Sequence, residues 1–311
     1  MAFLGGKSFS YIGLPLVVIV FGIVMRSLRP DFLSPSNLEN IMRQGGPLVL
    51  VATGQAFVII AGGLDISVGS IMGLVSVIAA MAGVKWGLEA GILCGVAAGM
   101  ACGAFNGVMV SWFRVPALIV TLGMLSIAKG MSFTITNGMT MDVPKGFDYL
   151  GWANWGPFPV MAVLIIAVFL VCLGALSLTT FGRRLYATGS NIEAARLSGI
   201  NVATHRFVAF MLSGALSAMA AIVLTARMNS GNPLTGVGYE LTSIGAAVIG
   251  GIYIRGGEGS LFGVLIGVIF FTALSNGLML IGFSSYVRLM IEGVVFVLAL
   301  YLNLLLYRRP E

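Results

Sequence analysis

Apolar positions in this chain run in long stretches, without the two-residue alternation of a half-buried strand. A helix crossing a bilayer needs about 20 consecutive apolar residues. On that measure the sequence marks ten stretches: 10–28, 45–62, 67–84, 88–111, 115–136, 158–177, 206–226, 240–254, 260–282 and 287–306. The expected fold is an all-α polytopic membrane protein, one transmembrane domain over 1–311. Two polar connections stand out. The stretch 137–157 carries Asp142, Lys145 and Asp148, then Trp152 and Trp155, which suit a membrane interface. The stretch 178–205 carries Arg183, Arg184, Arg196 and His205, with Arg206 beside it.

The apolar pattern is interrupted in one place by a carboxylate. Ala61–Ser70 reads AGGLDISVGS, and Asp65 sits between two segments made for a bilayer interior. At the centre of a spanning helix a carboxylate costs about 2.5–3.5 kcal/mol. Gly62 and Gly63 end the preceding helix and the next starts near Ser67–Gly69, so Asp65 falls at or just before a helix N-terminus. There the macrodipole and free N–H groups favour it. Asp65 is then either a capping device or a ligand for a transported molecule. A similar order recurs later: Gly250-Gly251, a polar break, then Gly259-Ser260-Leu261-Phe262-Gly263, against Gly69-Ser70-Ile71-Met72-Gly73. Asn106-Gly107 and Asn276-Gly277 extend the echo. Paired glycine-interrupted spans point to a transport pathway.

Composition agrees: 58% of residues are hydrophobic, 9% are charged, and the mean hydropathy is +1.03. A soluble domain carries about 25% charged residues. The 43 glycines let helices approach closely. Cys94, Cys102 and Cys172 lie in apolar runs without a C-x-x-C, and His205 is the lone histidine. No metal site, disulfide scaffold or catalytic residue is expected. The net charge of +6 is scattered between spans, so no nucleic-acid partner is expected either. Lys7 precedes the apolar run Tyr11–Met25, which ends in Met25-Arg26-Ser27 without a small-x-small cleavage pattern and reads as a retained first span.

The positive-inside rule places 178–205 in the cytoplasm. Parity then puts both termini inside, with Arg114, Arg255, Arg308 and Arg309, and the tryptophan-bearing loop outside. Arg26, Arg29 and Arg43 fall outside, against the rule, while Lys7 alone holds the N-terminus inside.

Five blocks in family order resemble the membrane permease of ribose-type ABC importers: GGLDISVGS; TLGMLSIAKG at Thr121–Gly130; FGRRLYATGSNIEAARLSGIN at Phe181–Asn201; GYELTSIGAAVIGG at Gly238–Gly251; and GSLFGVLIGVIFFTALSNGL at Gly259–Leu278. The similarity runs from about residue 30 to about residue 305. It implies a multi-pass permease subunit of the bacterial inner membrane, surrounded by lipid, that pairs with a second permease, identical or closely related. It also implies two copies of an ABC ATPase inside and a periplasmic sugar-binding protein outside. The cargo class is a monosaccharide or polyol; members serve ribose, xylose, arabinose, galactose, inositol and the autoinducer-2 sugar. The break Ile252–Glu258, IYIRGGEG with its final glycine, departs from the family's small and hydroxyl residues, so no role passes to Arg255 or Glu258.

In the family the segment 190–200 docks into the ATPase. Ser190-Asn191-Ile192-Glu193 matches the capping-box pattern, with Ser190 as N-cap and Glu193 three residues on. Ala194, Ala195, Arg196 and Leu197 are helix formers, Gly199 after Ser198 can end the helix, and Leu197 and Ile200 are available to a groove. The alternative is a helix resting on the membrane. The chain itself binds no cofactor; ATP and Mg belong to the partner. Gly6-Lys7-Ser8 is no P-loop, because Met1 stands where glycine is needed.

Other polar residues in the spans have two readings each. Arg288 and Glu292, four apart, are expected to pair. Lys129 is expected to snorkel, and Glu240 to favour its helix N-terminus. Gln55, Asn106 and Asn276 either touch sugar hydroxyls or bridge helices. The competing function is an ion- or proton-coupled secondary transporter using Asp65, Lys129, Arg288 and Glu292. A membrane enzyme lacks a nucleophile beside a base, and a channel lacks a filter motif.

Overall fold

The computed structural model describes residues 13–156 and 158–306. The Gly6-Lys7-Ser8 motif, the start of the first span, both chain ends, Arg308 and Arg309 lie outside them. The helices are α1 Leu14–Leu28, α2 Pro35–Ile60, α3 Val68–Trp86, α4 Leu88–Ser111, α5 Ala117–Thr136, α6 Tyr149–Trp152 and α7 Val160–Leu178. Then follow α8 Thr180–Ser190, α9 Ile192–Leu197, α10 Val202–Met228, α11 Tyr239–Ile249, α12 Leu261–Ile281 and α13 Ser285–Leu306. A two-residue antiparallel pairing, β1 Asn154–Trp155 with β2 Phe158–Pro159, lies in the tryptophan loop. Among the described residues, seven helices (α3, α4, α5, α7, α10, α12, α13) are long and apolar enough to cross a membrane, and α1 and α11 are shorter apolar helices. The molecule is an all-α polytopic membrane protein.

Local chemistry sets the helix ends. The stretch expected at 88–111 is reproduced, bounded by Gly87 at φ +97°. The second stretch, expected from 45, begins at Pro35: Ser34 accepts a hydrogen bond from the Asn37 amide at 3.3 Å, and Pro35 occupies the first turn. Polar residues of those first turns hide the start from a hydropathy measure. The stretch 240–254 stops at Ile249, because Gly250 and Gly251 turn the chain.

The tightest packing runs along α4. Gly91, Gly95, Gly99, Gly103 and Gly107 recur every fourth residue and are all buried, giving one flat face. Its upper part lies on α3 and its lower part on α10. At the closest approach a Cβ added to Gly103 would collide with the Phe210 carbonyl oxygen, and one on Gly214 with that of Gly99. Only glycine on both helices allows this contact.

One end of the bundle is closed by the tryptophan loop. Pro47 within α2 has no N–H, so the Arg43 carbonyl four residues earlier loses its helical donor; Arg227 Nη1 supplies one at 2.6 Å. Arg43 in turn donates to the Gly151 carbonyl at 3.0 Å and to Asn154 Oδ1 at 2.8 Å, and pairs with Glu39 at 2.7 Å. Trp152 Nε1 donates to the Arg227 carbonyl at 3.1 Å. Arg29 Nε donates to the Leu280 carbonyl at 2.6 Å, at the end of α12. At the opposite end lie α8, α9 and the glycine loop 256–259.

Candidate functional site

Both glycine turns have the same internal geometry. After α2, the Gly62 amide donates to the Ile59 carbonyl at 2.8 Å and the Gly63 amide to that of Val58 at 2.9 Å. After α11, the Gly251 amide donates to Val248 at 3.0 Å and the Ile252 amide to Ala247 at 3.0 Å. Each is a Schellman stop with its left-handed residue at Gly62 (φ +79°) or Gly251 (φ +88°). Gly62 therefore corresponds to Gly251, one residue off the Gly-Gly alignment. The restarts differ as well: Gly69 and Ser70 lie inside α3, whereas Ser260 caps α12 by accepting from the Phe262 amide at 3.2 Å.

The loop that follows the second stop meets the first at the basic end. The Gly257 amide donates to the Ile60 carbonyl at 3.0 Å, and Ser190 Oγ donates to the Gly257 carbonyl at 3.3 Å. Arg206 covers the first stop, donating from Nε to the Ala61 carbonyl at 3.2 Å and from Nη2 to that of Gly62 at 2.9 Å. Asn303 covers the second, donating to the carbonyls of Ile252 at 3.0 Å and Val248 at 3.2 Å. Asn303 was not singled out from the sequence; the available signal was a lone amide in the apolar second half of the final span. Asn303→Leu should orphan the Ile252 carbonyl, while that of Val248 keeps the Gly251 amide, and cost about 1–3 kcal/mol, read as a lower thermal midpoint of the purified protein in detergent.

From the first stop the chain turns back into the bundle. Asp65 is fully buried and lies against Ser213, near the middle of the 27-residue α10. Its Oδ1 accepts from the Ser67 amide at 3.0 Å and from Ser67 Oγ at 2.5 Å, and Oδ2 accepts from Ser213 Oγ at 3.1 Å. Ser67 is the N-cap of α3 without a capping bond of its own side chain, so the carboxylate two residues earlier holds this terminus. Asn106 Nδ2 donates to Ser67 Oγ at 3.0 Å. With its amide oriented to suit its neighbours, Gln55 donates to the Asp65 carbonyl at 3.0 Å and accepts from the Asp65 amide at 3.2 Å. Gln55, Asp65, Ser67, Asn106 and Ser213 thus form one buried knot. Asn276 is elsewhere: it exchanges two amide hydrogen bonds with Asn37, at 2.9 and 3.1 Å, joining α12 to α2.

The segment 190–200 departs from its expected form at its start. Ser190 is the last residue of α8, and Asn191 caps α9 instead, accepting from the Ala194 amide at 3.0 Å. Glu193 pairs with Arg196 at 3.2 Å and does not reach back. The physical reason is the bond between Ser190 Oγ and the Gly257 carbonyl, which holds Ser190 in the junction. The helix closes in a Schellman turn: Gly199 (φ +75°) donates to the Arg196 carbonyl and Ile200 to that of Ala195, both at 3.0 Å. Leu197 stands 89% exposed.

Arg288 and Glu292 are not paired: Arg288 Nη2 donates to Ser285 Oγ at 3.0 Å, while Glu292 lines a cavity of about 300 Å³ between α2, α11, α12 and α13. Gln44, Arg227, Tyr239, Thr272 and Ser275 share that cavity. Arg227 Nε is buried without a partner, and the side chains of Gln44, Thr272 and Ser275 make no hydrogen bond among the described residues. Glu240, in the first turn of α11, accepts from the Gly238 amide at 3.1 Å. It lines a smaller cleft with Ser70 and the exposed Lys129. Val237 borders both. Among the described residues there is no cluster that could hold a metal ion.

The family model described as branched-chain amino acid transport system / permease component matches residues 37–300. The chain is 38% identical over 299 residues to the ribose import permease protein RbsC of Bacillus subtilis (strain 168), covering 94% of this chain and 91% of that protein. It is 30% identical over 359 residues to the xylose transport system permease protein XylH of Haemophilus influenzae, covering 94% and 95%. It is 33% identical over 296 residues to the L-arabinose transport system permease protein AraH of Escherichia coli (strain K12), covering 94% and 90%. No solved structure matches.

Proposed function

The chain belongs to the branched-chain amino acid transport system / permease component family, and we propose that it is the membrane permease subunit of an ABC importer for a monosaccharide or related polyol. The family description names amino acids. The relatives aligned over nine-tenths of their length carry ribose, xylose and arabinose in their names, and these set the cargo class. The protein is multi-pass in the bacterial inner membrane and is not catalytic alone. ATP and Mg are used by a separate ABC ATPase, a periplasmic binding protein delivers the sugar, and a second permease completes the pathway.

The observation that carries this reading is α9. A short helix capped at both ends, standing at the margin of the bundle with Leu197 almost wholly exposed, is a lever awaiting a partner's groove. The segment 190–200 is thus the ATPase contact. A self-contained transporter has no use for it, and Asp65, one of the charges such a transporter would need, is held by three donors. In this reading the chain crosses the membrane ten times, α1, α2 and α11 joining the seven longer spans. Both termini are inside, and the two glycine stops form paired broken helices. Arg29 and Arg43, on the outer side, serve as donors to carbonyls and so escape the charge rule.

The cavity beside Glu292 and the cleft beside Lys129 face the sugar pathway. Hydroxyl-rich cargo needs donors and acceptors without internal partners, and about 300 Å³ is the lower end of the small-molecule range. Purification from the native membrane should bring down a tandem ATPase in stoichiometric amount. ATP-driven uptake in proteoliposomes then tests the cargo. Gln44→Leu and Thr272→Val should each lower uptake about three- to tenfold while the ATPase stays bound. Isolation of the chain alone, with uptake following an ion gradient, would sink the proposal.

A further inference from the structure

The structure assigns a second ligand to this chain: the phosphate of an anionic phospholipid, held in a cleft at the basic end of the bundle. The cleft, about 690 Å³, lies between the α4–α5 turn, α9 and the start of α10. Arg114, Arg196 and Arg206 line it, and no aspartate or glutamate does. Two long helices open into it by their N-termini, α5 at Pro116–Ala117 and α10 at Asn201–Val202. Free N–H groups and the positive macrodipole end there add to the three guanidinium charges. The N-terminus of α5 has no side-chain capping bond. Ser111 Oγ, also lining the cleft, is buried without a hydrogen-bond partner among the described residues.

Glu193 offsets part of the Arg196 charge at 3.2 Å, so Arg114 and Arg206 carry most of the positive character, and a cleft of that character takes an anion. Arg206 already donates two of its groups to Ala61 and Gly62, and it contributes charge and its remaining N–H groups. Arg114 is exposed with its backbone at φ +57°. A phosphodiester could come free in solution or on a lipid; the rim decides for the lipid. Trp112 and Phe113, 51% and 68% exposed, stand beside Arg114. Aromatic rings flanking basic side chains at the end of a spanning helix mark the headgroup level of a membrane. Basic pockets between spanning helices bind phospholipid headgroups there. The lipid bridges the α4–α5 turn to α9, so it would also steady the docking helix. The cleft lies outside the proposed sugar pathway, and its occupancy is read without transport.

Native mass spectrometry of the purified chain, titrated with phosphatidylglycerol or phosphatidylcholine, tests the assignment. The wild type should retain phosphatidylglycerol about tenfold more tightly than phosphatidylcholine. Arg114→Gln combined with Arg196→Gln should bring the two lipids within about twofold. Lys85→Gln combined with Lys145→Gln, at the opposite end, should leave the preference intact. Arg114→Gln alone, at an exposed side chain, should show an intermediate loss and guards against misfolding of the double variant. Equal retention of both lipids by the wild type, or a preference that survives the double substitution, overturns the proposal. Displacement of phosphatidylglycerol by millimolar inorganic phosphate overturns the lipid and leaves a site for free phosphate. Displacement by the ATPase subunit assigns the cleft to a protein partner instead.

Discussion

Leu197→Asp should reduce ATP-driven uptake to background while leaving the bundle's thermal stability unchanged. The side chain is 89% exposed, so nothing inside this chain depends on it. The caps of α9 come from Asn191 at one end and Gly199 at the other, and neither involves residue 197. What the substitution removes is apolar surface for a partner, and burying a leucine contributes about 1.5–3 kcal/mol. Placing a carboxylate in the same groove adds a desolvation cost. Together these weaken the ATPase contact at least about thirtyfold. Leu197→Met keeps volume and apolarity and should transport normally. Co-purification of the ATPase with each variant reads the contact directly. Full uptake by Leu197→Asp would show that α9 is not the coupling element.

How much of this was legible beforehand depends on how local the signal is. The helix 88–111 and the short helix α9 are written in contiguous residues and are legible there, although the cap of α9 is Asn191 and not Ser190, because the long-range bond to Gly257 fixes Ser190. The start of α2 at Pro35 was missed because its first turns carry Asn37, Glu39 and Arg43, which a measure of apolarity discards. Arg288 and Glu292 show the opposite error. Their spacing permits a pair, yet Arg288 turns to Ser285 and Glu292 lines a cavity. Side chains that meet across distant segments, such as Asn303 with Ile252 or Arg227 with the carbonyl freed by Pro47, are set by packing. The four-residue glycine spacing of α4 was available in the sequence and identifies its contact face.

The same distinction between local and distant partners governs Asp65. Its bonds to Ser67 could be anticipated from a capping position; the bond to Ser213, 148 residues away, could not. Asp65→Leu should be the most destabilising of the substitutions considered. It leaves the Ser67 amide and the hydroxyl protons of Ser67 and Ser213 without their acceptor in a site closed to water. Each unsatisfied buried group costs about 1–3 kcal/mol, so the loss should be about 3 kcal/mol or more. Asp65→Asn should be milder, near 1 kcal/mol, because its amide oxygen still accepts from Ser67 and its N–H groups can donate to the Ser213 hydroxyl. The Gln55 contact is with the Asp65 backbone and survives both changes. Thermal unfolding in detergent ranks the variants. Uptake by the folded fraction of Asp65→Asn then separates the two readings of this carboxylate. Near-normal transport per folded molecule identifies a residue that holds the N-terminus of α3. Loss of transport in a stable protein would instead make Asp65 part of the sugar's path.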